Sequence, residues 1–450
     1  MSRDHDLVPF REALRTWGAI ALQTFGGPAG QIAVMQRILV DEKRWIGQRR
    51  FLHALNYCMV LPGPEAQQLA IYIGWLLNGL RGGLAAGILF VLPGVVALLG
   101  LSVVYVAYGD TTAVTALFAG LAPAVLAVVV QAVIRVSRRA LGHRALVALA
   151  VAAFVALAVF GIPFPLVIAA AAIAGLLLHR VAPHALDGAG GHGADDDGPP
   201  PVIADDALHT ERPTAARAGK VLLVSVVLWA LPVLVVAALA GRSSVLVQQG
   251  LFFSGTALVT FGGAYAVLSF VAQRAVEVYG WLGPGEMVRG LALAETTPGP
   301  LIMVVQFVAF LGAYRDPGGL DPWVSAFAGA LLTTWVTFVP CFLLIFLGAP
   351  YVERLRGNAR LSAALTGITA AVVGVIANLA LFFAVHTLFH DTVLVSAGPL
   401  DLELPALGSL RPVSLLIAIA AAVMVFRLRW SVLRTLGVSA LLGLLTTLAG

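Results

Sequence analysis

The chain has 450 residues, of which 60% are hydrophobic and 11% charged, and its mean hydropathy is +0.94. Soluble proteins carry about 25% charged residues, so a soluble globular fold is excluded. The formal charge of +5 is ordinary for a membrane protein whose inner loops collect Lys and Arg, and it gives no reason to expect a nucleic acid partner.

Apolar segments long enough to reach across a lipid bilayer recur along the whole chain, which predicts an all-α polytopic membrane protein. The charged start, Met1–Arg15, lacks the apolar region and cleavage site of a signal peptide, so we expect none to be removed. The apolar segments, about 13 in all, are 14–36, 51–79, 83–107, 112–134, 145–161, 163–178, 220–240, 246–274, 287–314, 323–350, 361–387, 412–426 and 432–449.

A polar stretch rich in Gly and Pro separates the first six segments from the last seven. Residues 181–218 are too polar to pack, so we predict a disordered cytoplasmic linker there. The chain then divides into an N-terminal module (1–180), this linker, a linking transmembrane helix (219–245) and a C-terminal module (246–450).

A shift of 236 positions aligns the two modules without a gap over 24–64 and 260–300. Because Trp and Pro-Gly-Pro seldom match by chance, the repeat is genuine. Two copies separated by one linking helix are expected to be inverted, as in many secondary transporters, with the substrate site near the bilayer midplane. The identical positions are Thr24-Phe25-Gly26-Gly27 with Thr260-Phe261-Gly262-Gly263, Val40 with Val276, Trp45 with Trp281, Gly47 with Gly283, Leu55 with Leu291, and Pro62-Gly63-Pro64 with Pro298-Gly299-Pro300.

Loop charges support this inversion. The Arg-rich loops, all cytoplasmic if the C-terminus lies outside, are 135–144, 354–360 and 427–434. The basic loop 37–50 also lies inside only if 14–36 and 51–79 are re-entrant hairpins. Its counterpart, 275–286, contains no Lys or Arg and would lie outside. We favour hairpins; full crossings with a central kink are the alternative.

The Phe-Gly-Gly and Pro-Gly-Pro motifs interrupt helices at membrane depth, since Pro removes a backbone donor and Gly adopts unusual backbone conformations. The freed N–H groups cannot face lipid, and helix starts carry partial positive charge. Four such starts that converge would suit a small anion without a metal. The alternative is that the motifs only permit kinks and close packing. The predicted substrate-binding residues are Phe25, Gly26, Gly27, Pro62, Gly63, Pro64, Gln67, Gln68, Phe261, Gly262, Gly263, Thr296, Thr297, Pro298, Gly299 and Pro300.

Ionisable residues near the breaks are candidates for coupling transport to protons. Intramembrane carboxylates are costly and often carry protons, which singles out Glu65 and Glu295, although Glu65 could instead partner its helix dipole. Arg289 could neutralise an anion or extend to the membrane interface. Cys58 and Cys341 lie in apolar segments without metal-ligand spacing, so we expect no metal and no cofactor.

The motifs around the breaks are similar to those of a known family. The residues that carry the similarity are Phe25-Gly-Gly-Pro-Ala-Gly30, Trp45, Leu61-Pro-Gly-Pro-Glu-Ala-Gln-Gln-Leu69, Gly82-Gly-Leu84 through Pro93, Phe261-Gly-Gly-Ala-Tyr265, Trp281 and Ala294-Glu-Thr-Thr-Pro-Gly-Pro-Leu301. Together they resemble both halves of the chromate ion transporter family in its long, two-domain form. The copies differ where Ala264 stands for Pro28 and Leu301 for Glu65.

The resemblance implies export of chromate across the cytoplasmic membrane of a bacterium, driven by the membrane potential or a proton gradient, and hence chromate resistance. Sulfate, nearly isosteric with chromate, is the expected competitor. One alternative is a permease for sulfate or another tetrahedral oxyanion. Another is an intramembrane enzyme, but the sequence has no HExxH, paired intramembrane Asp or GxSxG with His, so we predict no enzyme. The coupling ion, the direction of transport and homodimer formation stay open.

Overall fold

A computed structural model of the protein describes residues 6–25, 27–109, 111–182, 200–203, 214–261, 264–349, 359–397 and 400–448. The helices are α1 (Phe10–Ala21), α2 (Gly27–Gln36), α3 (Gln48–Val60), α4 (Glu65–Tyr108), α5 (Thr112–Ala140), α6 (Arg144–Ala158), α7 (Phe164–Val181), α8 (Ala215–Ala240), α9 (Val245–Leu258), α10 (Ala264–Gln273), α11 (Pro284–Thr296), α12 (Val304–Arg315), α13 (Pro322–Gly348), α14 (Ala359–Leu388), α15 (Pro412–Ala422) and α16 (Val432–Leu448). The strands are β1 (Thr392–Ala397) and β2 (Leu400–Pro405). The π-helical segments are Arg37–Glu42 after α2, Arg274–Val278 after α10 and Val423–Arg427 after α15; 3-10 turns are Leu301–Met303 before α12 and Leu407–Ser409.

The predicted all-α polytopic membrane fold is confirmed. Six described helices, namely α4, α5, α7, α8, α13 and α14, are long and apolar enough to cross a bilayer, and each predicted apolar segment overlaps a helix. Helices are expected here because they satisfy their own backbone hydrogen bonds where no water is present. The antiparallel β1–β2 hairpin, in which Thr392 pairs with Pro405, was not predicted.

The helices form two compact units, and each unit draws on both halves of the sequence. Unit 1 comprises Met1–Gly100, Gly191–Ala264 and Thr297–Gly357; unit 2 comprises Leu101–Gly190, Tyr265–Thr296 and Asn358–Gly450. The compact units therefore do not coincide with the two modules of the sequence repeat, whose boundaries stay a prediction.

In unit 1, α1 and α2 form a hairpin. A helix of 12 residues is about 18 Å long, which is too short to cross a hydrocarbon core of about 30 Å. The ammonium group of Lys43, beyond the end of α2, lies 2.8 Å from a carboxylate oxygen of Glu12 near the start of α1. Arg37 donates to the side-chain oxygen of Gln23 over 2.8 Å. Because Lys43 lies beside Glu12, the chain runs out along α1, returns along α2 and the π-helical segment that follows it, and ends beside the start of α1.

The long helix α4 contains a sharp reversal that divides it into two antiparallel arms. Asn78 and Gly79 have non-helical backbone angles, with φ of +60° at Gly79. The arms touch where both lack bulky side chains: a Cβ added to Gly74 would lie 2.6 Å from the Cβ of Ala86. The amide of Asn78 donates to the carbonyl oxygen of Val8 over 2.6 Å, so the reversal lies beside the start of α1. This contact supports the hairpin favoured from the sequence for 51–79, which stays a prediction.

The basic loop after α2 pairs with part of the predicted linker. Ile46 and Ile203 form a parallel β-bridge, in which the N–H of Ile203 donates to the carbonyl of Trp45 and the N–H of Gly47 to that of Ile203, each over 3.0 Å. Ile203 is buried. Val202 and Ile203 thus have backbone partners within 181–218, the segment that the sequence predicts to be a disordered linker and whose bounds stay a prediction. Residues 183–199 and 204–213 lie outside the described residues.

Small residues bring the helices of unit 2 close together. α5 packs on α15 and α16, and α14 packs on α5, α6 and α7. A Cβ added to Gly120 would meet the backbone of Ser439, and one added to Gly367 would meet that of Ala171. Such contacts let backbones approach closely, which is how membrane helices gain packing energy without a hydrophobic driving force.

Candidate functional site

The Pro-Gly-Pro motifs separate helices in the described structure, as the sequence predicts. The first lies between α3 and α4, and the second between α11 and the 3-10 turn that precedes α12. Gly63 has φ of +121° and Gly299 has φ of +102°. Residues with a Cβ seldom adopt this region, so glycine is needed at both positions.

The Phe-Gly-Gly motifs also fall between helices: α2 begins at Gly27, and α10 begins at Ala264. Gly26, Gly262 and Gly263 lie outside the described residues. Local structure repeats with the sequence shift of 236, because α3 and α11 correspond residue for residue and a π-helical segment follows both α2 and α10.

Two reciprocal hydrogen bonds join the breaks of the two copies within unit 1. The N–H of Gly63 donates to the carbonyl of Thr260 over 2.8 Å, and the N–H of Gly299 donates to the carbonyl of Thr24 over 2.9 Å. Each partner follows from the other pair by the shift of 236. Each Pro-Gly-Pro is thereby held against the threonine that precedes the Phe-Gly-Gly of the other copy, the arrangement expected of a local pseudo-twofold axis.

A small pocket lies where these breaks meet. Its lining comes from the first turns that follow the breaks, so four helical starts converge on one space. In this conformation it holds about one water-sized molecule, and its walls must separate to admit a larger ion. No lysine or arginine is among the described lining residues. The lining residues are Pro28, Gln31, Pro64, Glu65, Ala66, Ala264, Pro300, Leu301 and Ile302.

The lining repeats across the pocket. Residues related by the shift of 236 face the same space: Pro28 with Ala264, Pro64 with Pro300, Glu65 with Leu301, and Ala66 with Ile302. The polar lining side chains, Gln31 and Glu65, both come from the first copy. The lining positions of the two copies therefore correspond, but their side chains differ in polarity.

Buried glutamines surround the breaks in unit 1. The amide of Gln31 donates to the carbonyl of Gly299 over 2.5 Å, and that of Gln68 to the carbonyl of Pro62 over 2.7 Å. Gln306 donates to the carbonyl of Val95 over 3.4 Å. Within the described residues, Gln67 is fully buried and neither its side-chain oxygen nor its nitrogen has a hydrogen-bond partner. Most buried amides are hydrogen-bonded, so leaving that of Gln67 without a partner costs free energy. A bound ligand or a movement of the surrounding helices that supplied a partner would remove this cost.

The long helix α4 supports the second break. A Cβ on Gly94 would lie 2.7 Å from the carbonyl oxygen of Pro298, so α4 approaches the Pro-Gly-Pro backbone directly. Sequence reasoning did not name Gly94 as a site residue. A small residue on an apolar helix is an ambiguous signal, because close packing anywhere in a membrane protein needs one.

Glu295 lies in unit 2, near the end of α11, and is 1% exposed. The hydroxyl of Tyr265 donates to one of its carboxyl oxygens. The other oxygen has no hydrogen-bond partner among the described residues. The first copy has Ala29 and Met59 at the corresponding positions, so this pair belongs to the second copy alone. Sequence reasoning named Glu295 and missed Tyr265.

Arg289, also in unit 2, bonds to a tyrosine and not to Glu295 in the described hydrogen bonds. One of its guanidinium nitrogens donates to the hydroxyl of Tyr105 over 3.1 Å, and that hydroxyl donates to Glu286 over 3.0 Å. The guanidinium also lies over the ring of Phe118, 5.9 Å from its centroid.

The predicted site residues that the structure describes divide into three groups: those that line the pocket, those that flank the breaks, and Glu295 and Arg289, which belong to unit 2. Pro64, Pro300 and Glu65 line the pocket. The flanking residues that the structure describes, which stand next to the breaks or one turn behind them, are Phe25, Gly27, Pro62, Gly63, Gln67, Gln68, Phe261, Thr296, Thr297, Pro298 and Gly299. Sequence reasoning did not name the other lining residues as site residues, although the shift of 236 relates Pro28 to Ala264 and Ala66 to Ile302, and relates Leu301 to the predicted Glu65; the unnamed lining residues are Pro28, Gln31, Ala66, Ala264, Leu301 and Ile302.

Comparison with known proteins identifies the family. A sequence profile described as "Chromate transporter" matches residues 11–176 and 247–444. The chain belongs to the chromate transporter family. The two matched segments cover both modules of this transporter, in agreement with the resemblance noted in its motifs.

Curated relatives extend the comparison. The chain is 35% identical to a chromate transport protein of Pseudomonas aeruginosa over 79% of its own length and 76% of that protein. It is 28% identical to a chromate transport protein of Cupriavidus metallidurans over 80% and 79%. It is 27% identical to a probable chromate transport protein of Synechococcus elongatus over 88% and 90%. No solved structure matches the chain.

Proposed function

We propose that this transporter exports chromate across the cytoplasmic membrane of a bacterium and so confers chromate resistance. The family match over both modules carries the proposal, and the relatives named for chromate transport support it. The pocket adds a physical reason, because converging helix starts offer N–H groups and partial positive charge to a tetrahedral anion.

The substrate in this proposal binds at the pocket between the breaks. Its described lining holds no basic side chain, so backbone groups would carry most of the attraction. Opening the pocket frees the backbone groups that the reciprocal Gly63–Thr260 and Gly299–Thr24 bonds engage. Binding and opening are thereby linked, as alternating access requires.

Two carboxyl groups are the candidates for coupling. Glu65 lines the pocket, where an ionised carboxylate would repel a dianion, so its proton and the substrate affect each other. Glu295 is buried with one unbonded oxygen, a state that a proton stabilises. In this scheme, proton movement through these groups drives export.

The proposed topology places the N-terminus, the basic loop and the linker in the cytoplasm. Two contacts support it: Lys43 with Glu12, and the β-bridge of Ile46 with Ile203. They hold the start of α1, the loop and the linker residue at one level. The Arg and Lys residues there follow the positive-inside rule.

Growth in chromate tests the proposed function. A bacterial host lacking its own exporter should tolerate more chromate when it expresses this protein, and accumulate less of it. Radiolabelled chromate and sulfate, offered separately to inverted membrane vesicles, distinguish the chromate exporter from a sulfate permease. Unchanged sensitivity in cells that contain the protein in their membranes would contradict the proposal.

A further inference from the structure

Glu65 carries the only carboxyl group among the described lining residues of the pocket. Leu301 occupies the corresponding position in the second copy, and the other described lining side chains, apart from Gln31, are apolar. Gln31 directs its amide to the carbonyl of Gly299. A bound oxyanion would thus have helix starts around it and one acidic group beside it, at the first residue of α4.

Chromate and sulfate are alike in shape and charge but differ in basicity. Hydrogen chromate is a weak acid that loses its proton near neutral pH, whereas hydrogen sulfate is a much stronger acid that keeps its proton only in strongly acidic solution. A carboxylate repels any dianion unless a proton lies between them. A protonated carboxyl donates a stronger hydrogen bond to a more basic acceptor, and the oxygens of chromate are more basic than those of sulfate.

We propose that Glu65 discriminates chromate from sulfate by sharing one proton with the bound oxyanion. This rests on the proposed function, since it assigns a role within that same pocket. One O–H links a carboxyl oxygen of Glu65 to one oxygen of the substrate, and no bond to chromium forms or breaks. Sulfate still competes, but its weakly basic oxygens gain less from the shared proton.

Glu65 is the only described lining residue whose side chain can release or take up the shared proton. The remaining described lining residues do not titrate. On α3, the thiol of Cys58 lies within electrostatic range of Glu65. On α13, Cys341 is the titratable group near the first break, in contact with Gln68.

The test compares Glu65→Gln with wild type in the full-length protein. An amide donates N–H bonds to any oxyanion, so the variant should bind sulfate relatively better. We expect the ratio of sulfate to chromate inhibition constants, measured against radiolabelled chromate uptake in inverted vesicles, to fall by about tenfold or more, as expected for losing a hydrogen bond to a charged group. Chromate affinity in wild type should also weaken between neutral and alkaline pH, and Glu65→Gln should flatten that dependence.

Two further variants keep the test decisive. Glu65→Asp retains a carboxyl and should keep most of the discrimination, and Glu277→Gln removes an exposed carboxylate outside the pocket and should keep all of it. If Glu65→Gln no longer transports, calorimetry with chromate and with sulfate on the purified protein gives the same ratio. If wild type transports chromate and Glu65→Gln has the same ratio of inhibition constants as wild type, the role of Glu65 is overturned and the proposed function stands. A wild type that neither binds nor transports chromate overturns the proposed function itself.

Discussion

The carboxyl group of Glu295 is buried beside Tyr265 and has one oxygen without a described partner. An ionised carboxylate in such a place lacks the hydrogen bonds that would stabilise it. Arg289 lies on the same helix but bonds to Tyr105. The side chain that orients Glu295 is therefore a neutral hydroxyl, which suits a group that exchanges a proton better than one held in an ion pair.

Substitution at this pair should uncouple transport from protons. Glu295→Gln removes the proposed proton acceptor, so chromate uptake should lose most of its dependence on an imposed pH difference. Tyr265→Phe removes the hydroxyl and should reduce that dependence less completely, on the order of tenfold, since a hydrogen bond to a charged group contributes about 1.5–3 kcal/mol. Initial uptake rates in vesicles at several pH differences measure both effects.

Glu277→Gln is the matched control, because Glu277 is an exposed carboxylate of the same copy. Its uptake should follow the imposed pH difference as wild type does. Full pH dependence in both Glu295→Gln and Tyr265→Phe would rule out Glu295 as a coupling group.

At the scale of elements, the breaks are held by neighbouring helices rather than by their own sequence. Gly94 of α4 touches the second Pro-Gly-Pro, and the amide of Gln306 on α12 reaches the carbonyl of Val95. The reciprocal bonds of Gly63 and Gly299 add a support from the opposite copy. Interrupted helices persist at membrane depth only when protein satisfies the freed groups.

Enlarging Gly94 should disturb the second break. In Gly94→Ala the added methyl would lie 2.7 Å from the carbonyl oxygen of Pro298, and overpacking of this kind costs about 1–3 kcal/mol. We expect a lower thermal unfolding temperature in detergent and slower chromate uptake. Gly100→Ala on the same helix is the control, because a Cβ there meets nothing within 4 Å; it should be neutral or slightly stabilising. Equal stability of the two variants would contradict the proposed support.

At the scale of the whole molecule, the sequence predicted what depends on local pattern. Apolar length predicted the helices, and the shift of 236 predicted both Pro-Gly-Pro breaks and their correspondence. Contacts between distant residues were not predictable this way. The bond from Tyr265 to Glu295, the approach of Gly94 to Pro298 and the pairing of Ile46 with Ile203 depend on how helices pack.

The β1–β2 hairpin was missed for a different reason. Its strands alternate apolar and polar residues, as in Leu400-Asp-Leu-Glu-Leu404, which is the pattern of a half-buried strand. The segment lies between the apolar helices α14 and α15. A sequence analysis that looks for apolar stretches of helical length treats such a segment as a loop.

Inversion of the two modules predicts opposite sidedness for corresponding loops. Asp41 and Glu277 are related by the shift of 236, and both are exposed. In a background without Cys58 and Cys341, a membrane-impermeant maleimide should label Asp41→Cys only in inverted vesicles and Glu277→Cys only in intact cells with a permeable outer envelope. Labelling of both from one side would contradict the inversion, and labelling of Asp41→Cys from outside would contradict the hairpins.

Radiolabelled chromate uptake into energised inverted vesicles tests the central claim, that chromate crosses through the pocket between the breaks. Wild type should accumulate chromate. Leu301→Glu places a second carboxylate opposite Glu65, and like charges disfavour a bound dianion, so uptake should fall by about tenfold or more. Leu301→Met, which adds no charge and nearly keeps the volume, should lose far less. Uptake by Leu301→Glu equal to that of wild type, at matched protein levels, would contradict the account.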